Sequence, residues 1–329
     1  MNASVSSTQL ADDYRTLTTA AALVDVSDRS QVELAGADRA AFFHNFSTNE
    51  IRKLAPLAGC EAFVLTAQGK TLGHGVVYNE PERLVFETTA GQAPKLIAHL
   101  DRYLFAEKVT LADRSEQRAA WLLAGPAAAE VLAAAGAGEA PRDPAMTAPA
   151  RIAGFDVWLR RTPLVGLGGF LVDGPREAFA AIGAALETAG ARRVGFEACH
   201  PRRIEAGWPL YGVDITDKNL PQELARDATA ISFIKGCYLG QETVARIDAL
   251  GHVNRTLVGV RFAGVAPPEP GAELRRQGKA VGQVTSACFS PRLGAPLALA
   301  YVRREANAPG TKLDSDVGAG EVARLPIVD

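Results

Sequence analysis

At 329 residues the chain is too long for one ordinary hydrophobic core, so two or three packed units are expected. A hydrophobic fraction of 47%, a charged fraction of 22% and a net charge of −2 are those of a soluble globular protein; they argue against direct, nonspecific nucleic-acid binding. No apolar run approaches the roughly 18–20 residues of a membrane helix, and Met1–Arg15 has no signal core and carries Asp12 and Asp13, so no membrane association and a cytoplasmic location are expected.

Asp12 and Asp13 are placed to cap a helix running to about Leu23, followed by a short strand at Gln31–Leu34. Asp38 would cap a second helix that carries Phe42, Phe43 and Phe46 at core spacing. Three strands follow, Glu61–Thr66, Thr71–Tyr78 and Leu84–Thr88, separated by the turn chemistry of Gln68-Gly69-Lys70 and Asn79-Glu80-Pro81. Leu96, Leu100, Tyr103 and Leu104 mark one face of an amphipathic helix. Strands are expected at Lys108–Ala112 and Ala119–Leu123. The Ala-, Gly- and Pro-rich stretch Ala133–Ala150 reads as a loop. Further strands near Ile152–Arg160 and Gly169–Val172 precede a helix with Phe179, Ile182 and Leu186, then one over Phe196–Ala206. After Gly251 the texture changes to short strands punctuated by Gly and Pro, at Leu257–Phe262, Glu273–Arg275, Ala280–Thr285 and Ala298–Val302. The pattern is α+β, a mixed antiparallel body over residues 1–250 with a small C-terminal all-β barrel or sandwich over 251–329, without regular βαβ alternation.

The chemistry concentrates between Arg202 and Arg255. Glu205 falls near the end of a helix that stops at Gly207, beside Trp208 and Tyr211. A carboxylate beside aromatic rings can accept two parallel N–H bonds from an aminopyrimidine while the heterocycle stacks. Against this stands a surface Glu paired with Arg202 or Arg203. The octapeptide Lys235-Gly236-Cys237-Tyr238-Leu239-Gly240-Gln241-Glu242 follows. Two glycines bracket Cys237, a helix start near Gly240 places Glu242 in its first turn, and Lys235 is two residues from the thiol. A nearby helix N-terminus and ammonium favour thiolate, so Cys237 is a candidate reactive or ligand-donating thiol; the alternative is a packing residue in a tight turn. Cys60, Cys199, Cys237 and Cys288 lie too far apart for a disulfide scaffold, and the five histidines form no i, i+3 or i, i+4 pair, so no metal site is assigned.

The octapeptide resembles the signature of YgfZ-type folate-binding proteins, relatives of the glycine-cleavage T-protein. Asp25-Val26-Ser27, Arg203–Asp214, Gly251-His252 with Arg255, Val284-Thr285-Ser286 and Ser290-Pro291 resemble the wider T-protein superfamily in order and spacing, so the likeness spans essentially the whole chain. The resemblance implies a three-part T-protein-like fold and tetrahydrofolate held by Glu205, with Tyr211 and Lys235 as further contacts. It also implies an accessory role with iron–sulfur assembly or client proteins as partners; a monomer is the default expectation. A T-protein carries an acidic pair after the glycine of its second hairpin; here that stretch reads Gly69-Lys70-Thr71-Leu72-Gly73-His74. The absence of the carboxylates disfavours aminomethyl transfer, because losing such a group costs orders of magnitude in rate. The alternatives are a folate-dependent aminomethyltransferase or related demethylase domain, and an interaction-only protein with a vestigial folate cavity.

Overall fold

The computed structural model describes residues 7–166 and 168–327. By internal contacts the chain divides into two units, one of residues up to Ala62 together with Gly73–Cys199, the other of Phe63–Leu72 and His200 onward. The tip of one hairpin therefore belongs with the C-terminal half.

The first unit opens with α1 (Ser7–Thr19) and β1 (Ala22–Asp25). Asp12 and Asp13 sit inside the helix rather than at its cap, and the helix ends before Leu23. Ala22–Asp25 instead pairs as a strand, because Leu23 and Val24 are fully buried in a sheet. β2 (Ser30–Ala35) leads to α2 (Arg39–His44), whose Asp38 makes no side-chain cap bond; its carboxylate accepts from the Lys108 N–H at 2.8 Å. β3 (Gly59–Leu65), β4 (Thr71–Glu80) and β5 (Arg83–Thr88) form the meander expected from the turn residues. After α3 (Ala93–Asp101), β6 (Thr110–Asp113) completes a five-stranded sheet ordered β3-β4-β5-β2-β6.

β7 (Arg118–Ala124), α4 (Ala128–Ala134), β8 (Thr147–Ile152), β9 (Phe155–Thr162), β10 (Gly169–Pro175), α5 (Phe179–Thr188) and β11 (Arg192–Arg193) follow. They build the second sheet, ordered β11-β1-β7-β10-β9-β8. Its core joins Trp121, Leu123, Phe170 and Val172 on strands to Val131, Leu132, Ile182 and Leu186 on α4 and α5. Two sequence expectations are corrected here. Ala133–Ala150 is not one loop, since it overlaps the end of α4 and the start of β8. Nor is Ile152–Arg160 one strand: Ala153 (φ 52) and Gly154 (φ 85) make a two-residue turn between β8 and β9.

This unit also buries a charge network. Arg160, 0% exposed, donates to Glu80 at 2.7 and 2.9 Å and pairs with Asp173 at 3.3 Å. Asp173 receives Arg118 and Gln31 as well. A lone buried charge would cost several kcal/mol; here each is answered by strand neighbours.

In the second unit α6 (Cys199–Glu205), α7 (Asp227–Ala230) and α8 (Gln241–Leu250) precede six strands. These are β12 (Arg255–Phe262), β13 (Glu273–Arg276), β14 (Lys279–Ser290), β15 (Ala295–Arg303), β16 (Lys312–Ser315) and β17 (Gly318–Ala323). They close a barrel, ordered β12-β15-β14-β13-β16-β17, with β17 pairing back onto β12. Closure leaves no free sheet edge. β16 and β17 escaped the sequence reading. They are short, and Gly318 and Gly320 interrupt their apolar alternation. Phe262, Leu274, Val284, Ala300, Val302 and Val322 fill the interior. The α+β class and the C-terminal barrel agree with the sequence reading. No helix among the described residues is long and apolar enough to cross a membrane.

Candidate functional site

Glu205 is the last residue of α6, and the chain leaves the helix as expected: the Gly207 N–H bonds the Ile204 carbonyl, with Gly207 at φ 69. Its carboxylate is not the surface group of the alternative reading but is 0% exposed. Oε1 accepts the Ser290 hydroxyl at 2.5 Å, and Oε2 accepts Arg202 Nη1 at 3.1 Å. Ser290 Oγ in turn accepts the Leu293 N–H at 3.1 Å, which fixes the hydroxyl so that its hydrogen points at Glu205. The result is an anion whose orientation is set from two sides. Its field reaches Cys288: burial, reinforced by Glu205 nearby, pushes that thiol up to about 12.

Trp208 and Tyr211 are buried, at 3% and 7% exposure. Arg226 lies over the Trp208 ring at 5.0 Å, and Tyr211 joins the apolar cluster of Phe63, Leu65, Ile204 and Ile215. Its hydroxyl reaches the Thr71 carbonyl at 3.5 Å.

Behind this segment stands a second buried carboxylate, Asp214, which the spacing of the sequence did not single out. Arg203 Nη1 and the Leu210 N–H donate to its Oδ2, at 2.8 and 3.0 Å. Oδ1 faces the hydroxyls of Thr285 (2.6 Å) and Ser286 (2.5 Å). Consecutive strand residues normally point to opposite faces. Here the β14–β15 register slips between Val284 and Ser286, and this bulge lets both hydroxyls meet one carboxylate. Arg203 also donates to Ser286 Oγ at 2.7 Å and faces His200 Nδ1. Burial and the Arg203 charge lower His200, so it stays neutral, with Nε2 facing the Ala287 carbonyl.

The octapeptide forms the loop between α7 and α8. Gly240 is the residue the backbone requires: φ is 82, and a Cβ there would lie 2.5 Å from the Thr66 carbonyl oxygen. Thr243 Oγ1 donates to the Gln68 carbonyl at 3.1 Å, so the start of α8 is stitched to the Thr66–Gly69 turn. Gln241 Oε1 accepts the Tyr238 N–H at 3.1 Å. The ring of Tyr238, half-buried, carries the Lys235 ammonium 4.7 Å from its centroid, and burial pushes its phenol up to about 12. Gly236 differs from expectation, having neither positive φ nor a neighbour within 4 Å of a built Cβ. Cys237 is exposed, as is Glu242. As expected, the helix begins beside Gly240, at Gln241, with Glu242 in its first turn, and Cys237 lies four residues ahead of Gln241.

In the first unit, the positions of the expected acidic pair hold Gly73 and His74. A Cβ on Gly73 would come within 2.8 Å of Leu96. His74 Nε2 lies 2.7 Å from Glu61 Oε1, both buried. His74 is thus one half of a carboxylate–imidazole pair. Among the described residues no group of three or more His, Cys, Asp or Glu side chains could hold a metal ion.

A three-helix segment with a buried, bracketed glutamate, leading into a closed six-stranded barrel, defines a T-protein-like architecture. The models of the GCVT N-terminal domain and of the glycine cleavage T-protein C-terminal barrel domain match residues 3–230 and 255–329. The chain belongs to the glycine cleavage T-protein family. It is 30% identical over 333 residues to the aminomethyltransferase of Chlorobium chlorochromatii, across 96% of this chain and 89% of that one. It is 31% identical to the aminomethyltransferase of Symbiobacterium thermophilum, across 92% and 84%. The crystal structure of glycine cleavage system aminomethyltransferase T from Bartonella henselae has the same fold, with a TM-score of 0.88 at 23% identity over 97% of this chain and 89% of that chain. These relatives are named for aminomethyl transfer, not for the YgfZ-type branch that the octapeptide resembles.

Proposed function

We propose that this chain binds tetrahydrofolate, with the Glu205 carboxylate taking the aminopyrimidine edge of the pterin. The supporting observation is the state of Glu205: fully buried at a helix end and oriented by Ser290 and Arg202. A charged acceptor held this way is matched to two parallel N–H donors, which give direction as well as energy. Tyr211 and Lys235 are assigned as neighbours in that site, the ring for the heterocycle and the ammonium for the anionic tail. Residues 1–250 form the folate-binding body in this reading, and 251–329 the barrel. Glu205→Gln keeps the shape but replaces an acceptor with an amide donor. It is expected to weaken tetrahydrofolate about 30- to 100-fold, the equivalent of about 2–3 kcal/mol, by titration calorimetry. Unchanged affinity would sink the assignment.

The names of the relatives support folate-dependent aminomethyl transfer better than an accessory role. A second reading draws on two observations of this chain. The hairpin carries Gly73 and His74 in place of the acidic pair, and Cys237 is exposed on a loop whose far end is pinned at Gly240. In that reading the protein is a cytoplasmic monomer of the YgfZ type that supports assembly or repair of iron–sulfur proteins. Transfer from an aminomethyl-lipoyl carrier protein to tetrahydrofolate separates the two. Robust turnover establishes the first. No turnover, with Cys237-dependent rescue of iron–sulfur enzyme activity in cells lacking the protein, establishes the second.

A further inference from the structure

The Glu205 carboxylate has no exposed surface, so a ligand meets it only when a group that covers it leaves. The two donors described above, Ser290 and Arg202, differ in how readily they can do so. Ser290 is 0% exposed on β14, and its short side chain is held by the Leu293 N–H at 3.1 Å. Arg202 keeps 17% of its side chain exposed, and its Nη1 reaches Oε2 at 3.1 Å from one turn earlier on the same helix. A guanidinium on a flexible apolar stem can swing into water by changing rotamers, without moving the helix. The C-terminal segment does not compete for this place: the Ile327 N–H donates to the Glu205 main-chain carbonyl at 2.9 Å and leaves the carboxylate alone.

Chemistry picks out the same residue. The edge of an aminopyrimidine such as a pterin's is a guanidine built into a ring, a planar carbon whose N–H and NH₂ point the same way. An arginine side chain ends in the same group, and both offer a carboxylate donors in one plane. Exchanging one for the other keeps the buried anion hydrogen-bonded before and after, which avoids the large cost of leaving it bare.

We propose that Arg202 is an internal stand-in for the pterin edge, occupying Glu205 until the ligand displaces it and so limiting both the rate and the affinity of binding. This rests on the assignment of Glu205 to the pterin made above. It gives Arg202 a signature that a merely structural residue lacks. Removing a competitor speeds association and leaves dissociation alone, whereas removing a support of Glu205 weakens binding.

Anaerobic stopped-flow tryptophan fluorescence of the full chain with 6-methyltetrahydropterin tests this. The probe has no anionic tail, so the lost positive charge does not act on it through steering. Arg202→Gln is expected to raise the association rate constant about fivefold or more and to change the dissociation rate constant by less than about twofold. Arg202→Lys keeps the charge but loses the planar fork, and a gain of about twofold or more is expected. It also carries the test should melting curves show that the glutamine variant does not fold. In a Glu205→Gln background the gain from Arg202→Gln is expected to vanish, because no carboxylate remains to be released. Association that stays level or slows in the folded Arg202 variants overturns the proposal, as does a gain that persists beside Glu205→Gln. If Glu205→Gln binds the pterin as tightly as the wild type, the folate assignment falls and the proposal with it. If Glu205→Gln weakens binding and the Arg202 variants bring no gain, the proposal alone falls.

Discussion

Asp214 and Asp227 stand in the same unit, and packing treats them in opposite ways. Asp214 is surrounded by donors: a guanidinium and a backbone N–H on one oxygen, two hydroxyls on the other. Asp227 keeps one buried oxygen without any donor and has a second carboxylate nearby. The first carboxylate ties the Arg203–Ile215 segment to a bulged barrel strand; the second weakens the fold. Whether its donors are present, more than its burial, thus decides whether a buried carboxylate ties the fold together or loosens it.

Four substitutions and one labelling experiment would break or sharpen this contrast. The largest effect is expected from Asp214→Ala, which leaves the Arg203 guanidinium buried without its counter-charge; urea unfolding should show a loss of about 3–5 kcal/mol. A loss below about 1 kcal/mol would place Asp214 with Asp227 rather than against it. Next comes Gly240→Ala, where the left-handed backbone alone costs about 1–3 kcal/mol, before the clash of its Cβ with the Thr66 carbonyl is added. Asp227→Asn should act in the opposite direction. Asp227 titrates near 6 in the folded chain and at about 4 when unfolded, so between these values the folded state holds a proton that the unfolded chain has released. Stability from this group therefore falls as pH rises from about 4 to about 6, and the cost is complete above that. The asparagine variant should be more stable by about 1–2 kcal/mol at pH 7.5, allowing for solvent screening, and level with the wild type at pH 3.5, in paired unfolding curves. The smallest effect belongs to Cys237→Ser, within about 0.5 kcal/mol, because the exposed thiol has no packing role. Brief iodoacetamide treatment should mark Cys237 while sparing Cys199 and Cys288, whose thiols burial pushes up to about 12.

What the sequence disclosed followed the range of each interaction. The three-strand meander, Gly207 ending its helix and the start of α8 near Gly240 are decided by neighbours in the chain, and all were legible. Glu205 was legible as a residue type, but its burial and its Ser290 partner were not, since Ser290 arrives from a barrel strand far along the chain. Asp214 was passed over because the two hydroxyls on its Oδ1 come from a bulge that no spacing announces. Asp227 gave no signal at all: being unsatisfied is a property of the packed chain, not of any motif. β8 was hidden by Pro149, which a central strand excludes but an edge strand such as β8 tolerates. The pairing of His74 was not legible because Glu61, its partner, belongs to the adjacent strand of the sheet.

The hairpin tip at Phe63–Leu72 has a consequence for synthesis. Phe63 and Leu65 leave the ribosome early, yet the side chains that cover them, Ile204, Ile215, Leu257 and Leu297 among them, are translated more than a hundred residues later. Until then the nascent chain carries an uncovered apolar turn in its N-terminal half, at Phe63 and Leu65. A gene truncated before α6 would leave that turn uncovered permanently. Shortened versions of this protein are therefore expected to fail by aggregation during expression rather than by losing a ligand.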